Sequence, residues 1–365
     1  MKILLLSDTY SEHTEKWALG LADKGIHVGL FSFNKASYEW HLHPNITVYF
    51  EPDSKIDADS FLTKVAYIKY VSILKKIIKQ FKPDILHAHY ATSYGLIGAL
   101  TGFKPFVLSV WGSDVYSFPK KSKLHKKIFQ YNLKKASVLL STSNVMKEEV
   151  QLYTKKDVIV TPFGVDTDLF KPQQHQDKDP SITYIGTIKP IEEKYGIIYI
   201  IDAADIIIKK YTDKKFKFYL VGPGNDLNHY HQLIEQKGLK DYFVVTGRIP
   251  FSQVQHYHNL LDIFLNVSID DSESFGVAVV EAMACEKPVI VTDAKGLVEV
   301  VGNGDFAKIV PKKNAQEIAN AIADILNFGA NTEIGKKARQ HVLQHYDWKN
   351  NLQLMITIYN QLIKK

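Results

Sequence analysis

Two carboxylates carry the clearest chemistry: Glu273 and Glu281, in the run Asp270-Asp271-Ser272-Glu273-Ser274-Phe275-Gly276-Val277-Ala278-Val279-Val280-Glu281-Ala282-Met283-Ala284. It reads as a polar loop, a glycine turn and an apolar helix. A helix that starts at Gly276 offers unpaired backbone N–H groups and a partial positive charge at its first turn, which suits a phosphate. Glu273 lies in the loop before it. Glu281 falls inside it, among Val279, Val280, Ala282 and Met283. A carboxylate there costs several kcal/mol, roughly, unless it is paired or hydrogen-bonded. Glu281 therefore calls for a dedicated partner, such as a pair of ligand hydroxyls; an acid at the wet edge of the helix is the plainer alternative.

Arg248 is the second pointer. The chain has only two arginines, at 248 and 339, and Arg248 directly follows an expected strand. Its fixed fork of donors suits a phosphate or a carboxylate, and a structural salt bridge fits equally well. Other chemistries are excluded by what the loops lack. The loop after the first strand, Asp8-Thr9-Tyr10-Ser11-Glu12-His13-Thr14, holds no glycine. The dinucleotide fingerprint G-x-G-x-x-G is thus missing where a nicotinamide dehydrogenase needs it, and no phosphate-binding G-x-x-x-x-G-K-[ST] loop occurs. The single cysteine, Cys285, cannot form an intrachain disulfide and has no metal-ligand spacing, so no metal and no cofactor are expected.

These residues need a scaffold of alternating strands and helices. Short β-branched runs, each followed by a longer helical pattern, indicate parallel βαβ units. Strands are expected at 2–7, 27–32, 84–88, 106–110, 137–142 and 158–161, and again at 181–186, 216–222, 242–246, 262–266, 288–292 and 306–310. Helices should follow around 315–328 and 348–365. Two such sets in 365 residues imply an α/β protein of two doubly wound, Rossmann-like domains. The polar, proline-bracketed stretch 173–180 is the expected linker between domains at 1–172 and 181–346, with a terminal helix at 347–365 packing back on the first. Ligands of open α/β sheets bind beyond the carboxyl ends of the strands, so the expected active site is the cleft between facing domains.

The net charge of +6 is unevenly placed: residues 1–179 hold 24 Lys and 18 acids, while 180–365 are balanced. Its densest part, residues 120–135, interleaves seven lysines with Leu124, Ile128, Phe129, Tyr131 and Leu133. This is the pattern of a basic amphipathic helix suited to an anionic membrane surface, or of a solvated face in a lysine-rich protein. The first apolar run, Ile3–Leu6, is too short for a signal peptide, which makes a cytoplasmic protein, peripheral at most on the membrane, the expectation. Nucleic acid is not an expected partner.

The spacing E-x7-E in Glu273–Glu281, followed by Ala-Met-Ala and Lys287-Pro288-Val289-Ile290, resembles the donor-site motif of glycosyltransferase family 4, a retaining family of the GT-B fold. The likeness extends along most of the chain, through Asp84–His89, Trp111-Gly112-Ser113-Asp114 and Thr161–Phe170 in the first half. In the second half it takes in Ile185-Gly186-Thr187-Ile188-Lys189 to Lys194-Tyr195-Gly196, Val221-Gly222-Pro223-Gly224 and Thr246-Gly247-Arg248-Ile249-Pro250. It implies that Glu273 contacts the hydroxyls of the transferred sugar, that the amides of Ser274, Phe275 and Gly276 assist near sugar and phosphates, and that Glu281 binds the nucleotide ribose. Gly186, Thr187, Lys189, Lys194, Gly222, Arg248 and Ile249 then surround the diphosphate and nucleotide.

Two positions depart from the family. Thr187 stands where the diphosphate clamp has an arginine, which leaves Lys189 and Lys194 as the cations, Lys194 preferred for its lysine–glycine context. Trp111 stands where many relatives have a histidine beside the reacting sugar; His13, His87, His89 and Asp114 are its possible substitutes. The implied reaction moves a hexose or N-acetylhexosamine from a nucleoside diphosphate, UDP by family habit, to a hydroxyl of a glycan or lipid-linked acceptor in cell-surface polysaccharide synthesis. Glu273, Lys194 and Asp114 would be catalytic, and His13, His89 and Trp111 would lie on the acceptor side. A UDP-sugar epimerase of the same fold, or a non-catalytic nucleotide-sugar-binding subunit, would share the nucleotide site.

Overall fold

The computed structural model describes residues 1–34, 38–50, 61–175, 178–271, 273–302, 306–327 and 332–364. The β-branched runs form parallel strands, and the segments between most of them return as helices, as parallel pairing requires. The first sheet contains β1 (Lys2–Leu6), β2 (His27–Ser32), β3 (Ile46–Phe50), β4 (Ile85–His89), β5 (Phe106–Val110), β6 (Val138–Ser141) and β7 (Val158–Val160). Their order is β3-β2-β1-β4-β5-β6-β7. The second contains β8 (Ile182–Ile188), β9 (Lys215–Val221), β10 (Phe243–Gly247), β11 (Ile263–Asn266), β12 (Val289–Thr292) and β13 (Ala307–Val310), in the order β10-β9-β8-β11-β12-β13.

Strand β3 was not expected. Its sequence Ile-Thr-Val-Tyr-Phe suits a strand, but a 3-10 turn at Glu39–Leu42, not an α-helix, precedes it, so no helical period flags a βαβ unit there. It lies at the edge of the sheet, paired only with β2.

The chain divides into two compact units, Met1–Phe163 with Lys349–Lys365, and Gly164–Trp348. The stretch 173–180, as far as it is described, belongs to the second. In the first unit, β4 and β5 are buried at every residue, as central strands covered on both faces are. Leu86 and Leu108 join Leu4, Leu74, Ile97 and Phe129 in its core. The helix Trp348–Ile363 places Met355, Ile358 and Tyr359 in buried positions. The second core gathers Ile185, Ile201, Phe218, Leu265 and Ile322.

The segment expected to be a basic amphipathic helix forms one at Lys123–Lys135, capped by Ser122, whose Oγ accepts from the amide of His125 at 3.3 Å. Phe129 and Leu133 are buried, while Lys121, Lys123, Lys126, Lys127, Lys134 and Lys135 are exposed. At its C-terminal end the Lys156 ammonium donates to the carbonyls of Leu133, Lys134 and Ala136, a cation at the negative pole of the helix. Among the described residues no helix is long and apolar enough to cross a membrane.

In both sheets the strand order reverses beside the first strand, between β1 and β4 and between β8 and β11. Loops that leave neighbouring strands in opposite directions open a crevice at such points.

Candidate functional site

In the second unit, the loops after β8, β9, β10 and β11 are tied to one another by backbone bonds. The amide of Lys189 donates to Val221 O at 2.9 Å, Ile191 to Pro223 O at 2.7 Å, Gly222 to Gly247 O at 3.1 Å and Ile269 to Lys194 O at 2.9 Å. The packing leaves no room for a side chain at Gly196, where φ is +71° and a Cβ would lie 2.1 Å from Val267 O. The clamp-like loop 189–196 is thereby fixed against the loop that leads to Glu273.

Glu273 is met by two donors. Lys189 Nζ lies 2.6 Å from its Oε2, and the hydroxyl of Ser268 donates to the same oxygen at 3.4 Å. The two charged side chains are 11% and 12% exposed, so the pair is largely withdrawn from water. Lys189 also lies 4.5 Å from the centre of the Tyr195 ring, and Lys194 4.9 Å from it. Lys194 itself is 48% exposed and paired with Glu192 at 3.0 Å. Partial burial weighs against its ammonium, but the Glu192 carboxylate and Tyr195 outweigh this and raise it above the usual lysine range. Of the two lysines, Lys189 is the one held beside Glu273, while Lys194 is paired with Glu192.

Gly276 caps the helix Val277–Ala284 in a left-handed conformation, φ +69°. The loop before that helix is braced from outside, because Lys312 Nζ and the Lys295 amide both reach Asp271 Oδ1, at 2.8 and 3.1 Å. Ser274 and Phe275 are buried, with Phe275 edge-on to Tyr346. Thr187 is buried. Arg248 is exposed at the end of β10, with no ion pair among the described residues. The other arginine is structural: Arg339 donates to the carbonyls of Thr167, Phe170 and Ala284.

Glu281 does have a dedicated partner, and it belongs to the protein. His258, in the helix Val254–Leu260, is fully buried with Nε2 3.2 Å from Glu281 Oε2. Nothing in Val-Gln-His-Tyr-His-Asn-Leu singled His258 out, because the helix shows no apolar stripe that would mark its inward face.

The first unit gathers a second set. His87 is bonded at Nδ1 to the Tyr359 hydroxyl at 2.6 Å and at Nε2 to Ser109 Oγ at 2.8 Å. His89 Nδ1 lies 3.0 Å from Ser7 Oγ. Burial drives both well below the usual histidine value, His87 to about 3, and the neighbouring His87 and His13 add to the effect at His89. His13 is half-buried, stacked on Phe163 at 3.9 Å and edge-on to Trp111 at 5.9 Å. Burial and then Lys16 lower it to about 4. Trp111 also leans on His89, 4.5 Å between ring centres. Neutral imidazoles and an indole thus form one aromatic group at the switch point of the first sheet.

Asp114 stands apart from that group in kind. It is fully buried, and its carboxylate accepts the amides of Ala91, Trp111 and Gly112 at 2.7, 3.1 and 2.8 Å. Burial raises its pKa and those bonds pull it back only in part. With both oxygens occupied it shapes the loop around Trp111 rather than facing an open surface.

Residues 2–143 match the family model of glycosyl transferase 4-like proteins, and residues 165–341 match that of glycosyl transferases group 1. The chain belongs to the group 1 glycosyltransferases. It is 26% identical over 376 residues to an uncharacterised glycosyltransferase of Methanocaldococcus jannaschii, covering 99% of both chains. It is 30% identical over 267 residues to TuaC of Bacillus subtilis, named for teichuronic acid biosynthesis, covering 70% of this chain and 64% of that one. In fold it is similar to Anabaena HepE, solved in complex with UDP, with a TM-score of 0.79 at 19% identity over 99% of this chain and 100% of the other. The protein is an enzyme of the glycosyltransferase class with the GT-B fold.

Proposed function

We propose that this glycosyltransferase moves a hexose or N-acetylhexosamine from a nucleoside diphosphate sugar, UDP-linked, to a hydroxyl of a glycan or lipid-linked acceptor of a surface polysaccharide, with retention of configuration. The observation that carries the reading is the pair of carboxylates around the capped helix Val277–Ala284: Glu273 joined to Lys189 before it, and Glu281 within it. Glu281 binds ribose hydroxyls and Glu273 orients the sugar. Lys189, Lys194 and the helix N-terminus stabilise the diphosphate as its charge grows on departure, with no metal called for in this scheme. Glu273 is already engaged by an ammonium and acts as a positioning group rather than a nucleophile. Asp114 acts through the Trp111 loop, while His13 and Trp111, backed by the buried His89, present an aromatic surface to the acceptor. The complex of HepE with UDP supports the choice of nucleotide, and the name of TuaC supports a surface polysaccharide.

A thermal-shift panel of UDP-, GDP- and ADP-sugars tests the donor, because a ligand that binds only the native state raises stability according to its affinity. UDP-sugars should give the largest shift. Glu281→Gln should keep the fold and lose roughly 10- to 100-fold in kcat/KM, the cost of weakening charge-assisted bonds; unchanged activity would overturn the assignment. Product formed from donor alone, without acceptor, would make the enzyme an epimerase instead.

A further inference from the structure

Glu281 is asked to bind a ligand from the interior of an apolar helix, which requires its carboxylate to be held in one orientation. The residue that can hold it is His258. Its side chain has no exposed surface, and its Nε2 faces Glu281 Oε2 at 3.2 Å. A carboxylate can only accept, so Nε2 must carry the proton. The ring packs edge-on to Phe170 at 5.8 Å and tilted against Phe264 at 5.3 Å, and its other nitrogen, Nδ1, has no hydrogen-bond partner among the described residues. A buried imidazole that leaves one nitrogen bare is costly as packing material and an apolar side chain would serve better there. What the ring supplies is one donor, aimed at one oxygen. The other oxygen of Glu281 has no protein partner among the described residues, and the side chain keeps 11% of its surface open.

We infer that His258 is a positioning residue for nucleotide recognition: it pins Oε2 of Glu281 so that Oε1 is presented to the hydroxyls of the ribose. The inference rests on the reading of Glu281 as the ribose acceptor and adds to it the group that makes the carboxylate competent. The role is in binding and not in chemistry, so loss of His258 should raise the donor KM more than it lowers kcat.

The test compares His258→Gln with His258→Met in the full chain, titrating each with UDP and with 2′-deoxy-UDP. Gln keeps a donor near the position of Nε2, and Met has the same length without one. The Met variant should bind UDP about tenfold more weakly than wild type, as expected for one lost charge-assisted bond, and should bind 2′-deoxy-UDP almost unchanged. The Gln variant should recover most of the UDP affinity. Equal losses for both nucleotides, or a Gln variant no better than Met, would show that His258 only fills space. If Met fails to fold, His258→Phe keeps a ring between Phe170 and Phe264 and takes its place. Glu281→Gln is titrated alongside: if it and the wild type fail to prefer UDP over the 2′-deoxy analogue, the ribose reading falls and the role of His258 with it. If Glu281→Gln loses that preference while the His258 variants retain it, only the role of His258 is overturned.

Discussion

The ion pair between Lys189 and Glu273 joins two groups proposed to act on the donor. A diphosphate has to compete with a carboxylate for that ammonium, and a pair so little exposed is screened far less than a surface one. Glu273→Gln should therefore bind UDP, which lacks the sugar, more tightly by roughly three- to tenfold, an effect of the size usual for one ion pair. The same change should slow transfer, because the sugar loses its orienting acceptor. Calorimetry with UDP and a turnover assay read the two effects separately; weaker binding of UDP would show that Glu273 does not compete for Lys189. At this scale the sequence was legible in kind and not in contact. The need of Glu281 for a partner followed from its apolar neighbours, but the partner lies 23 positions away, and no local pattern couples the two. Lys189 and Lys194 were both visible as cations, and only the fold of their loop shows which one turns inward.

The strand-end loops of the second unit work because glycines let backbones meet. At Gly276 the backbone is left-handed, and a Cβ would come within 2.6 Å of the tip of Leu297, a flexible side chain. At Gly196 the obstacle is the carbonyl of Val267, which cannot turn aside. Alanine at either site costs about 1–2 kcal/mol for the left-handed conformation alone. Gly196→Ala should therefore lower the melting temperature more than Gly276→Ala, and should also weaken UDP binding, since it pushes the loop 189–196 away from Glu273. Thermal denaturation of the two variants side by side checks the order. Most elements could be placed from sequence because hydrophobic runs and helical periods agree along both halves. The edge strand Ile46–Phe50 escaped because a short 3-10 turn replaces the helix that usually announces the next strand.

For the whole molecule, the histidines of the first unit set a pH dependence. His13 is lowered to about 4 and His87 to about 3 from an ordinary value of 6.5, and His89 is also well below it. Between pH 6.5 and those values the unfolded chain takes up protons that the folded one refuses, so stability falls as pH falls through this window. The melting temperature should decline from pH 6.5 towards pH 4, and His87→Gln should flatten the slope; a flat profile in the wild type would mean that these rings protonate without unfolding. The exposed lysines of the helix Lys123–Lys135 set a second, salt-dependent property. Each contributes about 1 kcal/mol next to an anionic bilayer. We propose that this face docks on such a surface, so that the enzyme should sediment with anionic liposomes at low salt and be released as salt rises, whereas failure to sediment would leave the helix a solvated face. The assembly of the first unit also has an order in time. Its central histidine, His87, is completed by Tyr359, which a ribosome delivers only after the whole of the second unit, residues 164–348, has emerged. Until then His87 keeps its bond to Ser109 Oγ, but its Nδ1 has no Tyr359 hydroxyl to meet it while the second half is made. A ribosome that stalls inside the second unit leaves behind a first unit that is nearly all present and still unfinished.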